Sequence, residues 1–311
     1  MHFSFVVRNY HPQDFTTYVE FSLKYSRADA ASGTNSIGAL TQRLGRPNYR
    51  PSENLFLADA NGATIGYIDV VPELGIRRVV LDYLIHPAYS PGPIATELFA
   101  HALGRARELG AKMAHMNISS TGLDRAELLS SLGFREVRRY YELKLDLSEI
   151  NLKVADQSNS TCRRLSLGEE ESLAQIQNCC FAGSWGYNPN TTDEIVWWMN
   201  YRGSSPDDII LAIDESNLVG YCWTGITYGR GLSADRSNGH IYMLGVAPDY
   251  RKRGIGRKLL IEGLLHLRNK GQEIIDIVVD GQNTIAVVLY RSIGFQCSGS
   301  TLWYEKIIEQ A

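Results

Sequence analysis

The sequence predicts a mixed α/β fold, a sheet flanked by helices, laid down twice along one chain. Length is the first observation: 311 residues suit two domains of ordinary size better than one. Self-similarity at a fixed spacing is the second. Leu128-Leu129-Ser130-Ser131-Leu132-Gly133-Phe134 matches Leu289-Tyr290-Arg291-Ser292-Ile293-Gly294-Phe295 at an offset of 161. The same offset carries Ile85-His86-Pro87-Ala88-Tyr89 onto Val246-Ala247-Pro248-Asp249-Tyr250, and Arg107-Glu108-Leu109-Gly110 onto Arg268-Asn269-Lys270-Gly271. The third is the order of elements in each copy: a short strand, helical segments, a hairpin of two or three strands, a long helix, a strand, a short helix ending in Gly-Phe, and a final strand.

In the second copy the hairpin runs from Ile209 to Ile213 and Leu218 to Thr227, followed by a strand from His240 to Val246. The long helix spans Ile255 to Lys270 and stops at Gly271. Ile274 to Val279 reads as a buried strand and Thr284 to Ile293 as the short helix. Upstream, Leu57-Ala58 with Gly66-Tyr67 matches Leu211-Ala212 with Gly220-Tyr221 at an offset of 154. The second copy therefore carries about seven extra residues, assigned to the Gly/Ser/Asn-rich loop from Tyr228 to Gly239. The polar stretch after Ser148 reads as a linker, so the expected domains are 1–148 and 161–311 with residues 149–160 between them.

Hydrophobic residues make up 44% and charged residues 21%, which excludes extended disorder, collagen and coiled coil. A net charge of −3 supplies no global basic field, so neither nucleic acid nor a membrane surface is expected as a partner. The cysteines Cys162, Cys179, Cys180, Cys222 and Cys297 are odd in number and form no C-x-x-C pair, which argues against a disulfide framework or a zinc site and for a reducing cytoplasm. No bound metal is expected. The start Met1-His2-Phe3-Ser4-Phe5-Val6-Val7-Arg8 alternates like a strand rather than a leader, and no stretch reaches about 18 uninterrupted apolar residues.

The segment richest in chemistry is Leu244-Gly245-Val246-Ala247-Pro248-Asp249-Tyr250-Arg251-Lys252-Arg253-Gly254-Ile255-Gly256-Arg257-Lys258. A strand ends at Val246, Pro248 breaks its pairing, and two glycines lead into an apolar-periodic helix. Free N–H groups at such a helix start, with no Cβ at Gly254 or Gly256 to block approach, suit a pyrophosphate. The helix dipole and the basic side chains add to that preference. The alternative is a solvated basic helix start, and the strand before it and helix after it decide for the anion site. No G-x-x-x-x-G-K-[ST] occurs, and a dinucleotide fingerprint would require a third glycine where Leu259 stands.

With these residues the second copy resembles the GNAT superfamily of N-acetyltransferases, whose Arg/Gln-x-x-Gly-x-Gly/Ala pattern reads here Arg251-Lys252-Arg253-Gly254-Ile255-Gly256. Asn283, Ala286 and Tyr290 stand where the family shows Asn, Ala and Tyr on the short helix. The resemblance spans Thr161 to Lys306 and, in outline, the first copy, giving two tandem GNAT-like acyl-CoA acyltransferase domains like those of tandem members with one working and one degenerate half. It implies acetyl-CoA as co-substrate, held by Arg251, Lys252, Arg253, Gly254, Ile255, Gly256, Arg257, Asn283, Ala286 and Tyr290, with carbonyl donors on the backbone of Leu244, Gly245 and Val246. It also places Tyr290 beside the cofactor sulfur as a proton donor; the competing reading is a tyrosine that simply packs the helix. In the first copy Arg251 becomes Ser90, Gly254 becomes Pro93, Asn283 becomes Gly122 and Tyr290 becomes Leu129, so donors are lost there.

His240 is the candidate base, six residues before Val246 and expected on the same strand face by the period of two; a satisfied hairpin histidine is the equal alternative. Tyr242 is a second lining candidate. Trp185, Tyr187, Trp197 and Trp198 fall where the family places substrate-covering segments, with a core role as the competing reading for the paired tryptophans. Asp207 and Asp208 read as an ammonium attractor or, more simply, a cap, and Cys179 and Cys180 as inert and buried. The expected activity is acetyl transfer to the amine of a small molecule by direct attack, confined to the second copy. The alternatives are a protein or peptide N-acetyltransferase, or a non-catalytic CoA-binding module.

Overall fold

The computed structural model describes residues 4–25, 36–150, 160–228 and 237–309. Packing divides the chain into two compact units, Met1–Arg138 with Thr301–Ala311, and Arg139–Ser300. The linker residues 151–159 and most of the inserted loop, 229–236, lie outside the described residues.

The first unit contains β1 (Val6–Asn9), α1 (Phe15–Tyr25), α2 (Ile37–Leu44), α3 (Pro51–Asn54), β2 (Leu55–Ala60), β3 (Ala63–Glu73), β4 (Arg78–Ile85), α4 (Pro91–Glu108), β5 (Met113–Ser119) and α5 (Leu123–Ser131). The next strand, β6 (Arg135–Asp146), crosses into the second unit, which continues with β7 (Thr161–Arg164), α6 (Glu170–Phe181), α7 (Thr192–Arg202), β8 (Ile209–Asp214), β9 (Asn217–Tyr228), β10 (Ser237–Val246), α8 (Ile255–Asn269), β11 (Ile274–Asp280) and α9 (Thr284–Ile293). The last strand, β12 (Gln296–Ile307), returns to the first unit. The hairpins, long helices and Gly-Phe helices lie where the periodicity expects them, with α8 ending one residue earlier than expected.

The units do not follow the contiguous halves 1–148 and 161–311. Residues 301–307 of β12 pair antiparallel with β5, whereas residues 140–146 of β6 pair antiparallel with β11. Each unit thus takes its final strand from the other copy's sequence. The cores require it: Leu302 and Tyr304 join Phe99 and Phe134 in the first unit, and Leu143, Leu145 and Leu147 join Leu260 and Leu264 in the second. Each fully buried leucine stabilises by about 1.5–3 kcal/mol, so neither unit can shed its exchanged strand cheaply.

The recurring Gly-Phe signature has a local cause. Gly133 and Gly294 adopt left-handed φ values of 82° and 116° after α5 and α9. Phe134 and Phe295 then donate back to the carbonyls of Leu129 and Tyr290 at 2.9 and 3.2 Å and turn their rings into the core. At the other end of α9, Asn283 caps the helix by accepting from the Ala286 N–H at 3.2 Å. Among the described residues no helix is long and apolar enough to cross a membrane.

Candidate functional site

In the second unit, β10 ends at Val246, a short 3-10 turn follows at Pro248–Tyr250, and α8 begins at Ile255. Between them the backbone is left-handed at Lys252 (φ 62°) and again at Gly254 (φ 80°), the residue that caps α8. A side chain at Gly254 would strain that turn. Among the described residues no hydrogen bond engages the N–H groups of residues 252–257; the next amide, Lys258, donates to the Gly254 carbonyl at 3.1 Å. These amides ring the positive end of α8. A Cβ at Gly256 would meet Val246 Cγ2 only at 3.6 Å and Leu289 Cδ2 at 3.8 Å, so internal packing does not demand glycine there. The space at Gly256 leaves room for close approach of a ligand, and free amides at a helix start suit an anion such as the diphosphate of a CoA.

The basic side chains divide into two sets. Arg251 donates from Nε to the Val246 carbonyl at 3.0 Å and from Nη2 to the Cys180 carbonyl at 2.7 Å, bracing the loop against β10 and α6. Lys258 donates to the Ser160 carbonyl. Arg253 reaches the Asp249 carbonyl at 2.9 Å and stacks on Tyr250, and Arg257 reaches Ser292 Oγ at 2.9 Å; both are exposed and can turn to a phosphate. Lys252 is exposed as well.

Beside the loop the sheet opens. The parallel strands β10 and β11 pair only at Gly239, His240 and Ile241, although both continue beyond. From Tyr242 to Val246 the β11-side backbone groups of β10 have no ladder partner among the described residues. Ala247 donates to the Val219 carbonyl at 2.8 Å, on the β9 side. By the alternation of an antiparallel pair, Val246 and Leu244 then turn their N–H groups to the opened edge, while Gly245 faces β9. Gly245 is glycine for another reason: a Cβ there would lie 2.8 Å from Cys180 Cβ.

The ladder between β9 and β10 shifts between Ile241 and Met243, which leaves Tyr242 as an extra residue. This bulge corrects the expected placement of His240 on the face of Val246. Ile241, Leu244 and Val246 pack with the α8 cluster, whereas Tyr242 and Met243 pack with the cluster under α6 and α7. A Cβ on Gly239 would point at Ile275 and Leu267, so its neighbour His240 points the other way, with its ring 4.8 Å from that of Tyr242. His240 is half-buried, and burial together with the Arg202 charge pulls its imidazole down to about 4. It is neutral at physiological pH.

Tyr290 sits on α9 and packs on the α8 face, 5% exposed, with its ring 5.8 Å from Phe295. Burial, with a smaller contribution from Cys222, holds its phenol well above the usual range, so it remains protonated. Cys222 lies opposite Leu244 in the β9–β10 ladder. Tyr290 thus belongs to the α8-side cluster against which Leu244 and Val246 pack, on the face opposite His240. Asn283 is exposed and committed to its capping bond, and Ala286 is partly buried in the same cluster.

The remaining candidates separate cleanly. Asp208 is a structural anion: it caps Ser205, pairs with Lys270 Nζ at 2.5 Å and meets His266 Nε2 at 3.0 Å, and these bonds hold its carboxyl well below the usual range against the opposing cost of burial. Cys180 is buried and its thiol is pushed up to about 12, but Cys179 is exposed, contrary to expectation. Trp197 is buried and stacks on Tyr201 at 5.0 Å; Tyr187 donates to Asn178 Oδ1 at 2.7 Å. Arg202 and Tyr221 escaped the sequence reading, although the repeat offers a signal for the arginine, developed below.

In the first unit, β4 and β5 also pair over only three residues, Arg78 to Val80. Its loop differs. α4 starts directly at Pro91, and Pro91 and Pro93 lack N–H groups where the second unit offers them. β4 carries no bulge.

Residues 170–295 match the model of the acetyltransferase (GNAT) family. A mycothiol acetyltransferase of Stackebrandtia nassauensis is 28% identical over 87% of this chain and 88% of its own length, and one of an Arthrobacter species is 27% identical over 85% and 79%. Among solved structures, a GCN5-related N-acetyltransferase from Sphaerobacter thermophilus superposes with a TM-score of 0.70 at 19% identity, covering 99% of this chain and 96% of that one. A tandem GNAT protein from the clavulanic acid biosynthesis pathway does so at 0.69 and 15%, over the whole of both chains. The GNAT acetyltransferase family model thus matches residues 170–295, and the chain is an N-acetyltransferase whose fold is similar to that of a tandem GNAT protein.

Proposed function

We propose that the second unit transfers the acetyl group of acetyl-CoA to the amine of a small molecule by direct attack, while the first unit has lost this chemistry. The observation that carries the reading is the combination of three features: the unengaged amides of residues 252–257, the opened edge of β10, and the buried Tyr290 in the cluster against which Leu244 and Val246 of that strand pack. Relatives named mycothiol acetyltransferase support a small-molecule acceptor. Acetyl-CoA supplies a thioester whose acyl carbon is open to attack by an amine.

The chain's own residues do the rest. The amides of 252–257, with Lys252, Arg253 and Arg257, bind the diphosphate; Arg251 fixes the loop that presents them. The N–H groups of Leu244 and Val246 orient the acetyl oxygen and stabilise the negative charge it gains. Tyr290 gives its proton to the departing thiolate. His240, held at about 4, is too weak a base to strip an alkylammonium of its proton. Its role is to accept a hydrogen bond from an amine that arrives neutral, directly or through water; once the C–N bond forms and the C–S bond breaks, the proton shed by the nitrogen leaves to water, and the Tyr290 phenolate takes a proton back from water.

Acetyl-CoA-dependent thiol release against a panel of small amines tests this. Amine-dependent release is expected, with kcat/KM rising towards the acceptor's own ammonium pKa and showing no inflection near 6.5. Release only with protein N-termini would overturn the acceptor class. An inflection between pH 6 and 7 that disappears in His240→Gln would make His240 the proton-accepting base instead.

A further inference from the structure

The duplication supplies an internal comparison for one cation. In the first unit Arg43 occupies the last turn of α2. Its Nε lies 2.9 Å from Asp69 Oδ2 and its Nη2 2.8 Å from Asp82 Oδ2. The two carboxylates face each other across β3 and β4, and Asp69 is 1% exposed. In the second unit Arg202 occupies the last turn of α7. The offsets of 154 and 161 carry Asp69 onto Trp223 and Asp82 onto Met243, and these two face each other across β9 and β10. The arginine is kept, and both of its anions are gone.

The guanidinium of Arg202 now lies 4.2 Å from the ring centre of Tyr242, 4.8 Å from that of Trp198 and 5.1 Å from that of Trp223. Among the described residues it makes no hydrogen bond and no ion pair. Aromatic faces satisfy its charge in part but leave its in-plane N–H donors unused. Asp208 and Glu194 are committed elsewhere: Asp208 to Lys270, His266 and Ser205, and Glu194 to Thr191. Burial lowers the guanidinium only to about 10, so it is charged at neutral pH. A second donor stands unused on the same strand face as Trp223: the hydroxyl of Tyr221, wholly buried, has no partner among the described residues. Arg202 is among the charges acting on it.

We infer that the acceptor amine carries a carboxylate, which takes the place of the lost Asp69 and Asp82 counterparts and is held in-plane by Arg202 with the Tyr221 hydroxyl as a further donor. This rests on the reading of the second unit as the acetyl-transfer site, since His240, against Tyr242, lies on the same side of β10. A half-buried cation without a counterion is costly to keep, and a carboxylate arriving with the substrate offsets that cost only in the bound state. Neutral amines of the same shape forgo the pairing.

The test uses ω-amino carboxylates of two to six carbons and their matching primary amides, with wild type, Arg202→Met and Arg202→Lys. In thiol release, kcat/KM for at least one carboxylate is expected to exceed that of its amide by about 30-fold or more. Arg202→Met should erase the preference by lowering the carboxylate rate alone, Arg202→Lys should keep part of it, and acetyl-CoA affinity and Tm should stay near wild type. Equal rates for acids and amides, or a preference that survives Arg202→Met, would overturn the inference while leaving the acetyl-transfer reading intact. If no compound is turned over, calorimetric titration with the N-acetylated acids decides: binding that depends on Arg202 supports it, and no binding, or binding unchanged in Arg202→Met, overturns it.

Discussion

Gly256→Asp is expected to abolish acetyl-CoA binding without weakening the fold. The position is the second residue of α8, where internal neighbours of a new Cβ would stand at ordinary contact distance. A carboxylate in a first helical turn is favourable by about 0.3–1 kcal/mol, so the variant should melt at or slightly above the wild-type temperature. The same carboxylate would satisfy the amides of 252–257 itself and repel an incoming diphosphate. A loss of at least about 100-fold in affinity, some 3 kcal/mol, is the expected size for blocking a charge-assisted anion site. Calorimetry and thermal denaturation on the same preparation separate the two effects. Gly254→Ala makes a poorer probe, because the left-handed turn there, at φ 80°, penalises any side chain on its own account.

Tyr290→Phe should act on turnover and spare binding. Among the described residues no hydrogen bond holds the phenol, so its removal leaves no buried partner stranded, and the ring keeps its contact with Phe295. Because burial holds the hydroxyl well above the usual range, it stays a proton donor throughout the range in which amines become neutral. Losing a general acid typically costs about 10²–10⁴ in rate. The expectation is a fall of at least 100-fold in kcat with KM for acetyl-CoA nearly unchanged. An unaltered kcat would return Tyr290 to the role of a packing residue.

Much of the fold was legible because duplication repeats its signals. The hairpins, the long helix with its glycine stop and the Gly-Phe closures depend on local chemistry, and that chemistry recurs. The strand exchange was not legible: β6 and β12 present the same alternation whichever sheet receives them, and only pairing and core packing decide. The anion loop was visible in its glycines and its strand-to-helix setting. The duty of Arg251 was not, because its partners are the carbonyls of Val246 and Cys180, and the latter is distant in sequence. The bulge at Tyr242 defeated the count from His240 to Val246, since one extra residue reverses every later side chain. Arg202 could have been found by following the offsets from Asp69 to Trp223 and from Asp82 to Met243, where the repeat differs in charge rather than in shape.

The stoichiometry of acetyl-CoA binding bears most directly on a single working site in a duplicated chain. Titration calorimetry on the wild-type protein is expected to give one acetyl-CoA per chain, and that binding should disappear in Gly256→Asp. Two equivalents per chain, or one that persists undiminished in Gly256→Asp, would contradict it.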